Sequence, residues 1–283
     1  MMKCKAALIG TPIKHSLSAY IHEAGFASLG VDGTYERLET AQEDLIDRIK
    51  YLRVNDYTGF NITIPLKVPM KLFLDGYDKA ADISGCVNTV KIESDKSFTG
   101  YNTDIYGFVK SLPENIQKEL VNETASIVGT GGASRAVCIG LATLGVKEIS
   151  FYTRNIIDSA DLVNYFRKTF PDIKFNLFQK SSIGTYLNSK IVVNTTPIGM
   201  LGHSADQYSI NPNLLEQMPK DTIIYDVIYN PTKTMILKKA EELGLRWFSG
   251  LDMLIFQAER AEEIWTGKKP NTDKMKIAAL ENI

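Results

Sequence analysis

Read for the alternation of apolar and polar positions, the chain repeats one theme: an apolar run of strand length, then an amphipathic segment of helical length. Lys5–Ile9 has the make-up of a buried strand, and Ser18–Leu29 that of a helix closed by Gly30. Thr34–Leu38 reads as a short strand, followed by a charged helix from Glu43 to about Arg53. Gly59–Ile64 is a strand stopped by Pro65. Its period of two sends Ile62, Ile64 and Leu66 to one face, and Asn61 and Thr63 to the other. Val87–Ile92 with Ser97–Tyr101 has the pattern of a hairpin.

The second half repeats the theme more regularly. Ala125–Val128 is a strand running straight into Gly129-Thr130-Gly131-Gly132-Ala133-Ser134-Arg135, and Ala136–Leu144 is a helix ended by Gly145. Strands follow at Glu148–Tyr152, Lys174–Phe178, Ile191–Val193 and Thr222–Val227, with a helix at Asp158–Thr169 between the first two. Near the end, Leu251, Leu254, Ile255, Ala258, Ala261 and Trp265 form a helical stripe, with Gln257 off it and free to face a cleft. The succession predicts an α/β protein with mainly parallel strands, divided into residues 1–104, completed by 250–283, and residues 105–249. No linker composition marks the boundary, so it is set where the glycine-rich half begins.

That glycine loop meets the context test for dinucleotide binding, with a strand before it, a helix after it and a second strand on schedule. Gly129 would permit the tight turn. Gly131 and Gly132, with Ala133 beside them, would let backbone N–H groups approach a pyrophosphate at the helix N-terminus. Ser134 stands where the fingerprint has Gly or Ala. At the end of the second strand, where an NAD site places Asp or Glu, the chain reads Thr153-Arg154-Asn155, with no carboxylate before Asp158. Arg154 can offer paired donors to a 2′-phosphate, so NADP is the expected cofactor.

Composition narrows the picture by exclusion. The 283 residues are 44% hydrophobic and 23% charged with a net charge of −1, values of a globular chain with room for two cores. Such a charge gives no electrostatic case for nucleic acid or an anionic membrane as partner. The N-terminal MMKCKAALIG has too short an apolar run for a secretory signal, and no stretch approaches the ~18 apolar residues of a membrane span. Cys4, Cys86 and Cys138 are too widely spaced for a disulfide framework or a zinc site, which points to reduced thiols in the cytoplasm. His15, His22 and His203 are scattered, so no metal site is expected. A homodimer is compatible with the sequence but not specified by it.

Four polar motifs precede residue 105: His15-Ser16-Leu17-Ser18, Asn61-Ile62-Thr63-Ile64-Pro65-Leu66-Lys67, Val87-Asn88-Thr89 and Asn102-Thr103-Asp104. Singly, each has a plain explanation: Ser18 as a helix cap, Asn88 and Asn102 as turn residues, Lys67 as a solvated lysine. Together, in order, and followed by Gly129–Arg135, they resemble the shikimate dehydrogenase family. Asn194-Thr195-Thr196-Pro197, Asp226-Val227-Ile228-Tyr229 and Gly250-Leu251-Asp252-Met253-Leu254 ahead of Gln257 extend the resemblance over nearly the whole chain.

The resemblance implies an N-terminal substrate-binding domain, a Rossmann-type NADP-binding domain and a C-terminal helix returning to the first. It also implies NADPH-dependent reduction of 3-dehydroshikimate to shikimate, in aromatic amino-acid biosynthesis. By the same resemblance Lys67 and Asp104 become the catalytic pair, and Ser16 and Ser18 the hydroxyls that bind the substrate carboxylate. Thr63, Asn88, Tyr229 and Gln257 complete the substrate site. The cofactor positions are Gly129, Gly131, Gly132, Ala133, Ser134, Thr153, Arg154, Asn155, Thr195 and Gly250. The chain departs from the family on the cofactor side, where the usual Asn-Arg-Thr is Thr153-Arg154-Asn155 and a second arginine is replaced by Asp158. The nearest alternative is a quinate/shikimate dehydrogenase using NAD or NADP, and Ser18, where such enzymes often carry threonine, favours shikimate. A lysine can protonate an emerging alkoxide. Burial would lower its pKa, while the neighbouring Asp104 would raise it.

Overall fold

Strand β1 (Lys3–Gly10) is buried on both faces, which is why it reads as a continuous apolar run. The computed structural model describes residues 2–181 and 188–283. After β1 come α1 (Ser18–Leu29), β2 (Asp32–Glu39), α2 (Leu45–Val54) and β3 (Gly59–Ile62). A 3-10 turn at Pro69–Phe73 leads to β4 (Gly76–Tyr77), α3 (Lys79–Ser84), β5 (Thr89–Ile92) and β6 (Phe98–Tyr101). These six strands form one sheet in the order β2-β1-β3-β5-β6-β4. Ala7 and Ile9 face the cluster with Phe60, Met70 and Phe98; Ala6 and Leu8 face the one with Phe26, Tyr35 and Trp265.

The expected hairpin of β5 and β6 forms, and β5 also pairs antiparallel with β3, so this sheet is mixed. The short connection between β5 and β6 permits only a hairpin. One sequence expectation needs correction: the alternation through Ile64 and Leu66 breaks. β3 ends at Ile62, and Leu66 N–H donates to the Thr63 carbonyl at 2.9 Å, closing a turn. Ile62 and Leu66 are buried while Ile64 is 69% exposed.

The chain continues through α4 (Thr103–Ser111) and α5 (Glu114–Glu119) to β7 (Thr124–Val128), α6 (Gly132–Thr143), β8 (Glu148–Thr153), α7 (Ile156–Thr169) and β9 (Lys174–Gln179). Then follow β10 (Ile191–Asn194), α8 (Pro212–Leu215), β11 (Ile223–Asp226), α9 (Met235–Glu242), β12 (Arg246–Ser249), α10 (Leu251–Thr266) and α11 (Thr272–Leu280). The second sheet, β12-β11-β10-β7-β8-β9, is parallel throughout. Its order reverses between β7 and β10, the switch point at which doubly wound sheets bind ligands beyond the carboxyl ends of their strands. By contact density the chain divides into Met1–Gly107 with Ile255–Ile283, and Phe108–Leu254.

Candidate functional site

In the first unit, Lys67 leaves the turn after β3 and Asp104 stands in the first turn of α4, where the helix N-terminus favours a carboxylate. The Lys67 Nζ donates to Asp104 Oδ2 at 2.6 Å, with only 19% and 11% of the two side chains exposed. Burial by itself would lower the lysine pKa. The Asp104 charge and hydrogen bond, helped by Cys86, outweigh it and hold the ammonium above its ordinary 10.5. Of the two opposing influences, the carboxylate prevails.

Asp104 is itself held. The Asn88 Nδ2 donates to Asp104 Oδ1 at 2.8 Å and to Thr103 Oγ1 at 2.9 Å. Gln257 Oε1 lies at 3.4 Å from the same nitrogen, which has only two hydrogens, so it is the weakest of the three acceptors. Asn88 Oδ1 accepts from the Thr103 backbone N–H at 2.7 Å, which fixes the amide orientation. Gln257 is buried, at 8% exposure, against this cluster.

Two residues absent from the expected set complete the network. Asn61 Nδ2 donates to the Asn88 carbonyl at 3.2 Å and to Thr89 Oγ1 at 2.9 Å, leaving Asn61 Oδ1 to accept from the Tyr35 hydroxyl at 2.7 Å. Burial raises the Tyr35 phenol pKa well above 10.0, with the Ser18 hydroxyl partly opposing it. Ser16 Oγ donates to Ser18 Oγ at 3.0 Å. The N-cap of α1 is Leu17, with no side-chain capping bond, so the plain reading of Ser18 as a cap does not hold. Thr63, half-buried, follows Asn61 just beyond β3. Tyr35, Asn61, Asn88, Asp104 and Lys67 are thus linked in the first unit, while Ser16 and Ser18 bond to each other. No local sequence signal marks Tyr35, which reads as an ordinary strand residue.

In the second unit, Gly129 sits at φ +105 with an added Cβ only 2.8 Å from Thr195 Oγ1, so glycine is required there. Thr195 donates through Oγ1 to the Val128 carbonyl at 2.7 Å and braces the loop. Nothing lies within 4 Å of a Cβ built on Gly131. The N-cap of α6 is Gly131, with no side-chain capping bond and no acid in the first turn. Gly132 and Ala133 open the helix, and Ser134 turns its hydroxyl back onto the Gly131 carbonyl at 2.6 Å. Thr153 Oγ1 accepts from Ser159 at 3.0 Å, and Asn155 Oδ1 accepts from the Ile157 and Asp158 backbone N–H groups as the cap of α7. Both are used internally, whereas Arg154 is exposed. Gly250 has a packing reason: an added Cβ would meet the Val227 carbonyl oxygen at 1.9 Å. Tyr229 follows β11, its phenol pKa raised by burial.

Known proteins carry the same pattern. Residues 8–90 match the model of the shikimate dehydrogenase substrate binding domain, and residues 250–280 that of the shikimate 5'-dehydrogenase C-terminal domain. A shikimate dehydrogenase (NADP(+)) of Bacillus cereus is 36% identical over 100% of this chain and 99% of its own. The crystal structure of a shikimate dehydrogenase in complex with NADP+ aligns with a TM-score of 0.90 at 32% identity, covering 100% and 98% of the two chains. The Listeria monocytogenes shikimate 5-dehydrogenase in complex with shikimate and NAD aligns at 0.86 with 33% identity, covering 97% and 96%.

Proposed function

This chain belongs to the shikimate dehydrogenase family, and from that premise we propose how its residues divide the work of reducing 3-dehydroshikimate to shikimate with NADPH. The first unit holds the hydroxylated ring acid, and the second holds NADP. One observation carries the reading: a lysine ammonium bound to a carboxylate at 2.6 Å amid neutral hydroxyl and amide donors. In it Ser16 and Ser18 take the substrate carboxylate, Thr63, Asn88 and Gln257 take ring hydroxyls and carboxylate, and Lys67 faces the carbonyl oxygen.

The second unit fits the cofactor. The uncapped N-terminus of α6 and the open space over Gly131 suit a pyrophosphate, and exposed Arg154 suits a phosphate on the ribose. NADPH, when bound, supplies the hydride. The protein's share is the proton: Lys67 delivers one from Nζ to the carbonyl oxygen as it becomes an alcohol, then regains one from water. Asp104 aims the ammonium, and Asn88 aims Asp104. The reading also places the protein in the cytoplasm, supported by Cys4, Cys86 and Cys138, which are buried and form no disulfide among the described residues.

Shikimate and quinate, each with NADP and NAD, test the assignment by absorbance of the reduced nicotinamide. Shikimate with NADP should give the highest kcat/KM, and quinate with NAD leading would replace this reading by the quinate alternative. The serines give a second test. Ser16→Ala and Ser18→Ala should each mainly raise KM for shikimate, losing about 1–3 kcal/mol of binding. If both variants bind and turn over like the parent, the serines only shape the entry to α1.

A further inference from the structure

The parallel register of β8 and β9 pairs Thr153 with Gln179, so the next residues, Arg154 and Lys180, leave adjacent strand ends side by side. Lys180 N–H donates to the Thr153 carbonyl at 2.7 Å, and Gln179 Nε2 to the Arg154 carbonyl at 3.3 Å, which ties the two strand ends together. Among the described residues, neither the Arg154 guanidinium nor the Lys180 ammonium takes part in an ion pair or donates a hydrogen bond. The carboxylate nearest in sequence, Asp158, accepts instead from Asn155 Nδ2. Two cations are therefore held at adjacent strand ends with no anion paired to them among the described residues.

The arrangement extends the NADP reading above, on which it rests: we propose that Lys180 joins Arg154 as a second cation for the ribose 2′-phosphate, taking the place that a second arginine on α7 would fill. A phosphate monoester carries a charge of about −1.5 to −2 near neutrality, which two cations balance and one does not. The planar guanidinium supplies paired donors, and the ammonium a compact point charge. Burial and then the Arg154 charge lower the Lys180 pKa, in keeping with the two cations standing close to each other.

The full-length protein can be titrated calorimetrically with adenosine 2′,5′-bisphosphate and with 5′-AMP, which differ only in the 2′-phosphate. The parent should prefer the bisphosphate. Lys180→Gln should weaken bisphosphate binding about tenfold, as for loss of one charge-assisted contact, and leave 5′-AMP binding unchanged. Arg154→Gln serves as the reference, and the melting temperature of both variants as the check on folding. If Lys180→Gln leaves the bisphosphate affinity intact while Arg154→Gln lowers it, Lys180 is outside the site and the NADP reading stands without it. Equal losses for both ligands would also overturn the proposal, since Lys180 would then act on the unit as a whole. A parent that does not distinguish the two nucleotides would overturn the NADP reading together with it.

Discussion

Lys67→Ala is expected to lower kcat by at least ~10² while leaving the KM for shikimate nearly unchanged, the signature of a lost proton donor. Lys67 is partly exposed, so its removal opens no cavity in the apolar core. The Asp104 carboxylate keeps the bond that its Oδ1 accepts from Asn88, so it is not stranded. Binding should persist because the hydroxyl and amide donors of the first unit are untouched. Direction matters as well. Shikimate oxidation needs the neutral amine, and the Lys67 pKa is raised by Asp104 in spite of burial, so parental oxidation should climb with alkaline pH. In the variant that climb should vanish. Lys67→Arg should be nearly as inactive, since a guanidinium keeps the charge but does not release a proton. Retention of more than a tenth of the parental kcat in Lys67→Ala would remove the lysine from the chemistry.

What the sequence discloses about this site follows from how local each feature is. The run from β7 through the glycine loop into α6 is contiguous, and its strand, turn and helix signals each arise within a few residues. Lys67, Asn88 and Asp104 were legible as types in motifs, but their bonding depends on β3, β5 and α4 meeting, which only the fold supplies. Tyr35 lies on β2, two strands away from Asn61 on β3, and nothing near it in the chain announces the contact. Lys180 is hidden for the same reason, since its neighbour is set by the register of β8 against β9. Strand periodicity does not place Ile64, because the chain turns just past the end of β3. β12 is an edge strand of half-buried residues, Arg246-Trp247-Phe248-Ser249, with no alternation to mark it.

A large pH effect on stability is expected from a pair of side chains outside the proposed chemistry. His22 on α1 and Glu262 on α10 meet at 2.9 Å between Nδ1 and Oε1, both wholly enclosed. The imidazole stacks on Tyr35 at 4.3 Å and lies near Trp265, so no water-like medium stabilises a charge there. Burial pushes the Glu262 carboxyl up to about 9 from 4.5 and pulls His22 down to about 3 from 6.5. Near neutrality the folded protein therefore keeps the pair uncharged, as acid and imidazole. From pH 4.5 to 6.5 the unfolded chain has lost the Glu262 proton but still carries one on His22, so the counts match and this pair contributes no slope. Above pH 6.5 the unfolded chain binds fewer protons than the folded one, and stability falls by about 1.4 kcal/mol per pH unit, about 3 kcal/mol by pH 9. Below pH 4.5 the unfolded histidine holds the extra proton, and stability falls as the pH drops toward 3. Glu262→Gln resembles the protonated acid: its amide can still donate to Nδ1, and it does not ionise. Urea unfolding of parent and variant near pH 6.5 and at about pH 8.5 should show the alkaline loss in the parent and little of it in Glu262→Gln. The same slope in both proteins would mean that the folded pair holds no extra proton above pH 6.5, with Glu262 ionised beside a neutral His22.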